Sequence, residues 1–400
     1  MKNQSIDRQT IERMVREAIQ GDRPATPSSG VGRVAMLVEK QQIELRAYPI
    51  PQIAEDEILV RVEACGICGT DIHCYLHDPF GLAPHVLGHE GTGEVIEIGS
   101  KWKIDSVGKE IKVGDHVVTS VLGTSEQCGV ARYNPLKANL CDDLRVYGLL
   151  PDSSTHHFNG YFGEYLVIRP GSSVFVVNGM SEDLRVLIEP AAVVCHALER
   201  AKTHGSALNF RTRVVVQGCG PIGLMMIAVL RTFGVNNIIA IDGNDHRLDF
   251  AARVGADHRL NYKNFSTADD LADAVAGLTK GLGAHFGFQT TGVPQAAANM
   301  FKYIRRGGSI CEIGHFVDGG SASINPHEDF CKKEITLLGS WAYNSWEYPN
   351  AYHFLQRAES AGLPVSDLVT HRFPLHMIQE AFDLNLRQEG VKIVVQTPDA

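Results

Sequence analysis

The spacing of apolar positions changes character along the chain. Near the start, Ile11, Met14, Val15, Ala18 and Ile19 fall on one helical stripe with charged residues opposite. Asp7 stands as an N-cap there, with Ile6 and Ile11 at the two staple positions. This predicts an amphipathic helix of roughly 14 residues, marginal alone in water. The stretch GDRPATPSSGVG that follows has linker composition. From about residue 32 the pattern shortens to runs such as VAMLV, EILVRVEA, GTGEVIEIG and DHVVTSV between Gly/Pro turns, which read as strands. From about residue 205 to 340, RVVVQG, IIAID, HFGFQTTG and GGSICEIGH alternate with helical runs, the rhythm of a parallel, doubly wound sheet. The last segment holds two helical patterns and the strand-like KIVVQT.

The expected organisation is an N-terminal helix and linker over 1–31, then a β-rich domain in two parts, 32–200 and 341–400. A Rossmann-type domain over 201–340 is inserted between those parts, giving an α/β fold class. The formal charge of −9 leaves no basic footprint for nucleic acid. No run of about 18 apolar residues is present to span a membrane. Nine irregularly spaced cysteines in a chain of this length point to a reducing, cytoplasmic setting rather than a disulfide framework.

Gly218, Gly220 and Gly223, with Pro221 and Ile222 between the last two, form GxGxxG after an apolar strand and at the opening of an apolar helix. Asp242 ends the next strand, 19 residues after Gly223. Alone the glycine motif is weak; in this context it predicts a dinucleotide site. The glycines let the backbone turn tightly and approach a pyrophosphate at the helix N-terminus. The Asp242 carboxylate would accept from ribose hydroxyls and repel a 2′-phosphate, which favours NAD over NADP. Arg247 can reach the same ribose. The bland alternative is a Gly-rich turn with no ligand.

CGICGTDIHC, from Cys65 to Cys74, raises three readings of its CxxC pair: a redox dithiol, half of a zinc knuckle, or one metal ligand beside an unrelated cysteine. No second cysteine pair stands at knuckle distance. GHEGTGEV supplies His89 and Glu90, and LIEPAAVVCHALERA supplies Glu189 and His196. A catalytic zinc takes about three protein ligands and keeps one position open.

ACGICGTDIH, VLGHEGTGEV, IEPAAVVCHA, QGCGPIG and IAID, in this order, resemble the zinc-dependent medium-chain alcohol dehydrogenase superfamily, in particular its polyol/threonine dehydrogenase branch. The resemblance covers about residues 32–400. It implies a GroES-like catalytic domain around the Rossmann domain, with the active site in the cleft between them. It implies that Cys68 is the ligand cysteine and Cys65 is incidental. His89 and Glu189 complete the metal set, and Glu90 is a carboxylate able to approach the same ion. Thr70 matches the hydroxyl that contacts the substrate oxygen, His73 the outer end of a proton relay, and Asp71 the group that orients His89. Thr291 and Gly314 are carried as further cofactor contacts. His85 and His196 are read as hydrogen-bonded structural histidines.

The family's second, structural zinc needs four cysteines. Here Cys128 and Cys141 remain, while Ala131 and Asn134 stand at the middle positions. One catalytic zinc per chain and no structural zinc are therefore expected, with the lobe held by packing and hydrogen bonds. The implied activity is oxidation of a secondary, polyhydroxy or amino alcohol by NAD, or the reverse, in a homodimer or homotetramer. Three alternatives remain at this point. They are a zinc-independent reductase of the same superfamily, a short-chain primary alcohol/aldehyde reductase that recycles NAD inside a bacterial microcompartment, and a non-redox isomerase or lyase that uses NAD transiently. The N-terminal helix resembles the encapsulation peptides of bacterial microcompartments. That resemblance implies a shell protein as partner for residues 1–20.

Overall fold

The computed structural model describes residues 30–123, 128–142, 144–203 and 208–397. The expected N-terminal helix lies outside them, as does its linker up to residue 29. The chain forms two compact units. The first contains the described residues up to Cys128, then Asp142–Val186 and His371 onward. The second contains Gly129–Cys141 and Leu187–Thr370.

These boundaries differ from the expected breaks near 200 and 340. Helix Ile188–Thr203 packs against helices Glu347–Ser360 and Pro221–Thr232. All three therefore join the second unit. Helical periodicity marks where a helix runs, not which core its apolar face joins.

The first unit is built on antiparallel strands. A mostly antiparallel sheet runs in the order Val174–Val176, His116–Thr119, Glu90–Ile98, Ile58–Gly66, Lys392–Gln396. Strand Tyr165–Ile168 also pairs with Ile58–Gly66. Val31–Glu39 pairs with Gln42–Pro49 and with His85–Val86 in a smaller sheet. In Ile58–Gly66 the two ends are buried throughout, as in a strand covered on both faces, whereas Arg61 and Glu63 alternate with buried Val60, Val62 and Ala64 between them.

The second unit holds six parallel strands in the order His258–Asn261, Ile238–Asp242, Val214–Gln217, Ala284–Gln289, Ile304–Glu312, Thr336–Gly339. In chain order this is 3-2-1-4-5-6, the Rossmann arrangement, whose direction reverses beside Val214–Gln217. That strand is fully buried and uninterrupted (VVVQ), as a parallel strand covered by helices must be. No helix among the described residues is long and apolar enough to cross a membrane.

Candidate active site

In the first unit the chemistry gathers at the N-terminus of helix Gly69–His77. Cys68 is its N-cap, in extended backbone. The Cys68 N–H donates to Asp71 Oδ2 at 2.8 Å. Asp71 is fully buried, and its Oδ1 accepts from the Gly88 N–H at 3.2 Å. The same oxygen lies 3.4 Å from His89 Nδ1. One carboxylate thus ties the start of the helix to the loop that carries His89 and lies beside its ring. Gly88 has φ +92, and a Cβ there would lie 2.7 Å from Phe162 N, so the turn that aims His89 requires glycine.

Among the described residues, Cys68, His89 and Glu90 form a group able to hold a metal ion, with donor atoms within 4.8 Å of one another. His89 and Glu90 are buried and Cys68 is half-buried. Burial opposes a proton on His89, but the Asp71 carboxylate and the Cys68 sulfur outweigh it and hold the pKa well above the ordinary value. The anions that favour a proton there equally favour a cation. The donor set of thiolate, imidazole and carboxylate suits zinc.

Glu90 is itself clamped. Lys392 Nζ donates to Glu90 Oε2 and, at 3.2 Å, to the Ile67 carbonyl. The pair is nearly inaccessible, at 2% and 1%. Gly66 makes the space, since a Cβ there would lie 2.3 Å from Glu90 Oε2 and 3.0 Å from Lys392 Cδ. The sequence reading missed Lys392. The available signal was a charged residue opening the otherwise apolar strand KIVV.

The structure does not place Cys65 with the metal group. Cys65 is fully buried, its Sγ meets the Gly66 carbonyl at 3.4 Å, and burial, then Asp71 and Glu90, push its thiol well up. Thr70 Oγ1 lies 3.7 Å from Cys68 Sγ. His73 is exposed on the same helix; partial desolvation, then His77, pull its pKa down. His85 is fully buried and, chiefly through burial, also lowered.

In the second unit the glycine turn follows Val214–Gln217. Gly218 has φ +96, and Gly220 caps helix Pro221–Thr232 with Pro221 in its first turn. A Cβ at Gly223 would lie 1.8 Å from the Gly218 carbonyl oxygen, so helix and strand approach only through glycine. A Cβ at Gly220 would meet nothing within 4 Å, which leaves that face of the turn open. Ile222 is half-buried behind it. Asp242 Oδ2 accepts from the Cys219 N–H at 2.7 Å and Oδ1 from the Asn244 N–H at 2.9 Å. The carboxylate therefore holds the glycine turn at the end of its strand. Arg247 stands one turn on, its Nε without a hydrogen-bond partner among the described residues.

Thr291 and Gly314 gather at the same strand ends. Gln289 bonds the Thr291 N–H at 2.6 Å and its carbonyl at 2.7 Å. A Cβ on Gly314 would lie 2.0 Å from the Thr291 carbonyl oxygen. Thr290 Oγ1 donates to the Gly218 carbonyl at 3.0 Å. The carboxyl ends of the central strands are where ligands bind in such sheets.

Glu189 is buried in the first turn of helix Ile188–Thr203. Tyr343 Oη donates to its Oε1 at 2.6 Å. Burial, then the Glu189 charge, raise the tyrosine pKa far above its ordinary range, so the hydroxyl stays a donor. Sequence reasoning missed Tyr343 as well. His196 Nδ1 meets Glu347 Oε1 at 3.3 Å, a structural contact.

In the lobe, Cys128 and Cys141 are disulfide-bonded, whereas the other seven cysteines are free. The expectation that packing and hydrogen bonds alone hold this lobe is corrected by that bond. Asn134 Oδ1 accepts from the Leu136 N–H at 3.1 Å.

Comparison with known proteins matches residues 54–178 to the alcohol dehydrogenase GroES-like domain and residues 221–357 to the zinc-binding dehydrogenase domain. Sorbitol dehydrogenase 1 of Saccharomyces cerevisiae is 31% identical over 91% of this chain and 98% of its own. The chain belongs to the zinc-binding alcohol dehydrogenase family. An L-threonine 3-dehydrogenase of Symbiobacterium thermophilum is 30% identical over 89% of this chain and 94% of its own. The crystal structure of an alcohol dehydrogenase from Thermotoga maritima covers 92% of this chain and 99% of its own, with a TM-score of 0.85 at 27% identity. Membership of this family makes the chain an alcohol dehydrogenase-type oxidoreductase.

Proposed function

We propose that the chain is a zinc-dependent, NAD-dependent dehydrogenase that interconverts a secondary, polyhydroxy or amino alcohol with its carbonyl product. The observation that carries this is the group of half-buried Cys68 with buried His89 and Glu90, beside Asp71. When bound, zinc supplies Lewis-acid polarisation of the substrate oxygen and NAD supplies the hydride acceptor. Cys68 and His89 would hold the metal, with Glu189 as a further protein ligand carried by the resemblance. The Thr70 hydroxyl would hydrogen-bond the substrate oxygen, taking its proton at Oγ1 as it gives its own proton onward into the relay. His73, exposed and with a lowered pKa, would pass that proton to water. Gly218, Gly220 and Gly223 would seat the pyrophosphate and Asp242 the adenosine ribose, which favours NAD. The polyol and threonine dehydrogenases among the relatives support the substrate class. In the lobe, bonded cysteines and an engaged Asn134 support one zinc per chain.

The apolar stripe of residues 11–19 supports a separate role for the N-terminal segment, docking onto a microcompartment shell or another partner through a groove.

The deciding experiment compares Cys68→Ser with Cys65→Ser by metal analysis and by NADH release over a panel of polyols and amino alcohols. Cys68→Ser is expected to lose zinc and nearly all activity, because a hydroxyl is a poor substitute for a thiolate. Cys65→Ser keeps both. Zinc retained in Cys68→Ser and lost in Cys65→Ser overturns the ligand assignment. Turnover without stoichiometric NADH would instead identify an isomerase or lyase.

A further inference from the structure

Tyr343 lies in a segment whose backbone is held from an unexpected direction. Asn139, in the lobe after Cys128, is only 5% exposed. Its Nδ2 donates to the Trp341 carbonyl at 2.7 Å, and its N–H donates to Asn344 Oδ1 at 3.2 Å. Asn344, 3% exposed, donates back from Nδ2 to the Leu136 carbonyl at 3.0 Å. Three hydrogen bonds thus clamp the lobe to residues 341–344. Between the clamped positions Ala342 has φ +51, a left-handed conformation that a residue with a Cβ adopts only when its surroundings impose it. The next residue is Tyr343, whose hydroxyl holds Glu189. Beyond it, the Tyr348 hydroxyl lies 3.3 Å from that of Tyr343.

We propose that Tyr343 and Asn139 are positioning residues for the Glu189 carboxylate. Tyr343 acts directly, and Asn139 acts through the 341–344 backbone. The lobe is thereby coupled to the carboxylate that the family resemblance assigns to the catalytic metal. This rests on the reading of Glu189 as a zinc ligand. The clamp joins chain segments about 200 residues apart in sequence, and it sets the rotation about Ala342 that delivers the tyrosine. Groups that orient a ligand from behind commonly govern how tightly the metal is held.

The test uses the full-length enzyme loaded with zinc, and the same protein with cobalt(II) in its place. Zinc release to a chelator, the cobalt visible spectrum and the melting temperature are measured for Glu189→Gln, Tyr343→Phe, Asn139→Leu, Asn139→Asp and the Tyr343→Phe/Asn139→Leu pair. Tyr343→Phe is expected to weaken zinc retention roughly 10–100-fold and to shift the cobalt spectrum. Both Asn139 variants should move the same two readouts in the same direction by a smaller factor. The pair should release zinc no faster than Tyr343→Phe alone, since both act through one carboxylate. Asn139→Asp keeps the side-chain volume, so it reports if Asn139→Leu does not fold. If Glu189→Gln leaves zinc retention and spectrum unchanged, the ligand reading itself is wrong. If Glu189→Gln loses zinc while Tyr343→Phe does not, Glu189 stands as a ligand and its positioning by Tyr343 is overturned. Additive effects in the pair, or Asn139 variants that change only the melting temperature, overturn the coupling through the lobe.

Discussion

Replacing Lys392 with methionine removes a buried ammonium and keeps most of the stem that fills the space beside Gly66. The Glu90 carboxylate, 1% exposed, then loses the group that neutralises it. Removing one partner of a buried pair costs about 3–5 kcal/mol, because an uncompensated charge is left behind. For a cooperative unit of 150–250 residues this corresponds to a fall in melting temperature of roughly 6–20 °C. The loss should be largest in metal-free protein, since a zinc ion beside Glu90 offers a substitute counter-charge. The double variant Lys392→Met/Glu90→Gln leaves no orphan charge and should recover much of the loss. The assay is thermal unfolding by circular dichroism, with and without chelator, on the wild type, both single variants and the double. A Lys392→Met protein within about 1 kcal/mol of wild type when metal-free would refute the reasoning. So would a double variant no better than the single one.

Asp242→Ser should lower the ratio of kcat/KM for NAD over NADP by roughly 10–100-fold, as a charged ribose contact and a repulsion of the 2′-phosphate disappear; steady-state kinetics with both cofactors measures it, and a wild type that prefers NADP contradicts it. His85 is fully buried with a lowered pKa, so below about pH 6.5 the unfolded chain binds a proton that the folded chain refuses. Its contribution to stability is therefore complete above that pH and fades as pH falls, by at most about 1.4 kcal/mol per unit; denaturant titrations from pH 7 to 5 should show a shallower acid loss in His85→Gln, and an identical slope rules it out. Deleting residues 1–25 should leave zinc content and specific activity nearly intact, while a fluorescent protein fused to those residues should collect on shells or in co-aggregates. Loss of folding on deletion, or a change in oligomeric state, would make the segment part of the fold instead.

The alternation of strand and helix from 205 to 340 was legible because the central parallel strands Val214–Gln217 and Ile238–Asp242, covered on both faces, are written as buried apolar runs, VVV and IIAI. The glycine turn was legible for a related reason. Gly218 needs its positive φ, and Gly223 has no room for a Cβ, so the residue types record the geometry directly. Cys68, Asp71 and His89 were named through the family resemblance, and the structure adds that Asp71 sits at the third helical position after the Cys68 N-cap.

What escaped the sequence are the partners whose meaning depends on distant chain. Lys392 lies 302 positions from Glu90, and Tyr343 lies 154 from Glu189. Tyr343 has no local pattern that distinguishes it from any core tyrosine, and for Lys392 the only local signal is its place at the start of an apolar strand. A lysine opening a strand is ordinarily solvated, and only burial against a carboxylate makes its charge structural. The unit boundaries failed for the same cause, because the face of Ile188–Thr203 could have packed on either core. These omissions have a common consequence for the chemistry. The residues that match the family's motifs name the donors, whereas Lys392 and Tyr343 decide how each carboxylate is held. Glu90 is bonded by an ammonium and Glu189 by a neutral hydroxyl. A carboxylate paired with an ammonium is the poorer partner for a cation. Glu189 as a ligand and Glu90 as the carboxylate beside Cys68 and His89 is the proposed reading, which the Glu189→Gln and Lys392→Met proteins test from opposite sides.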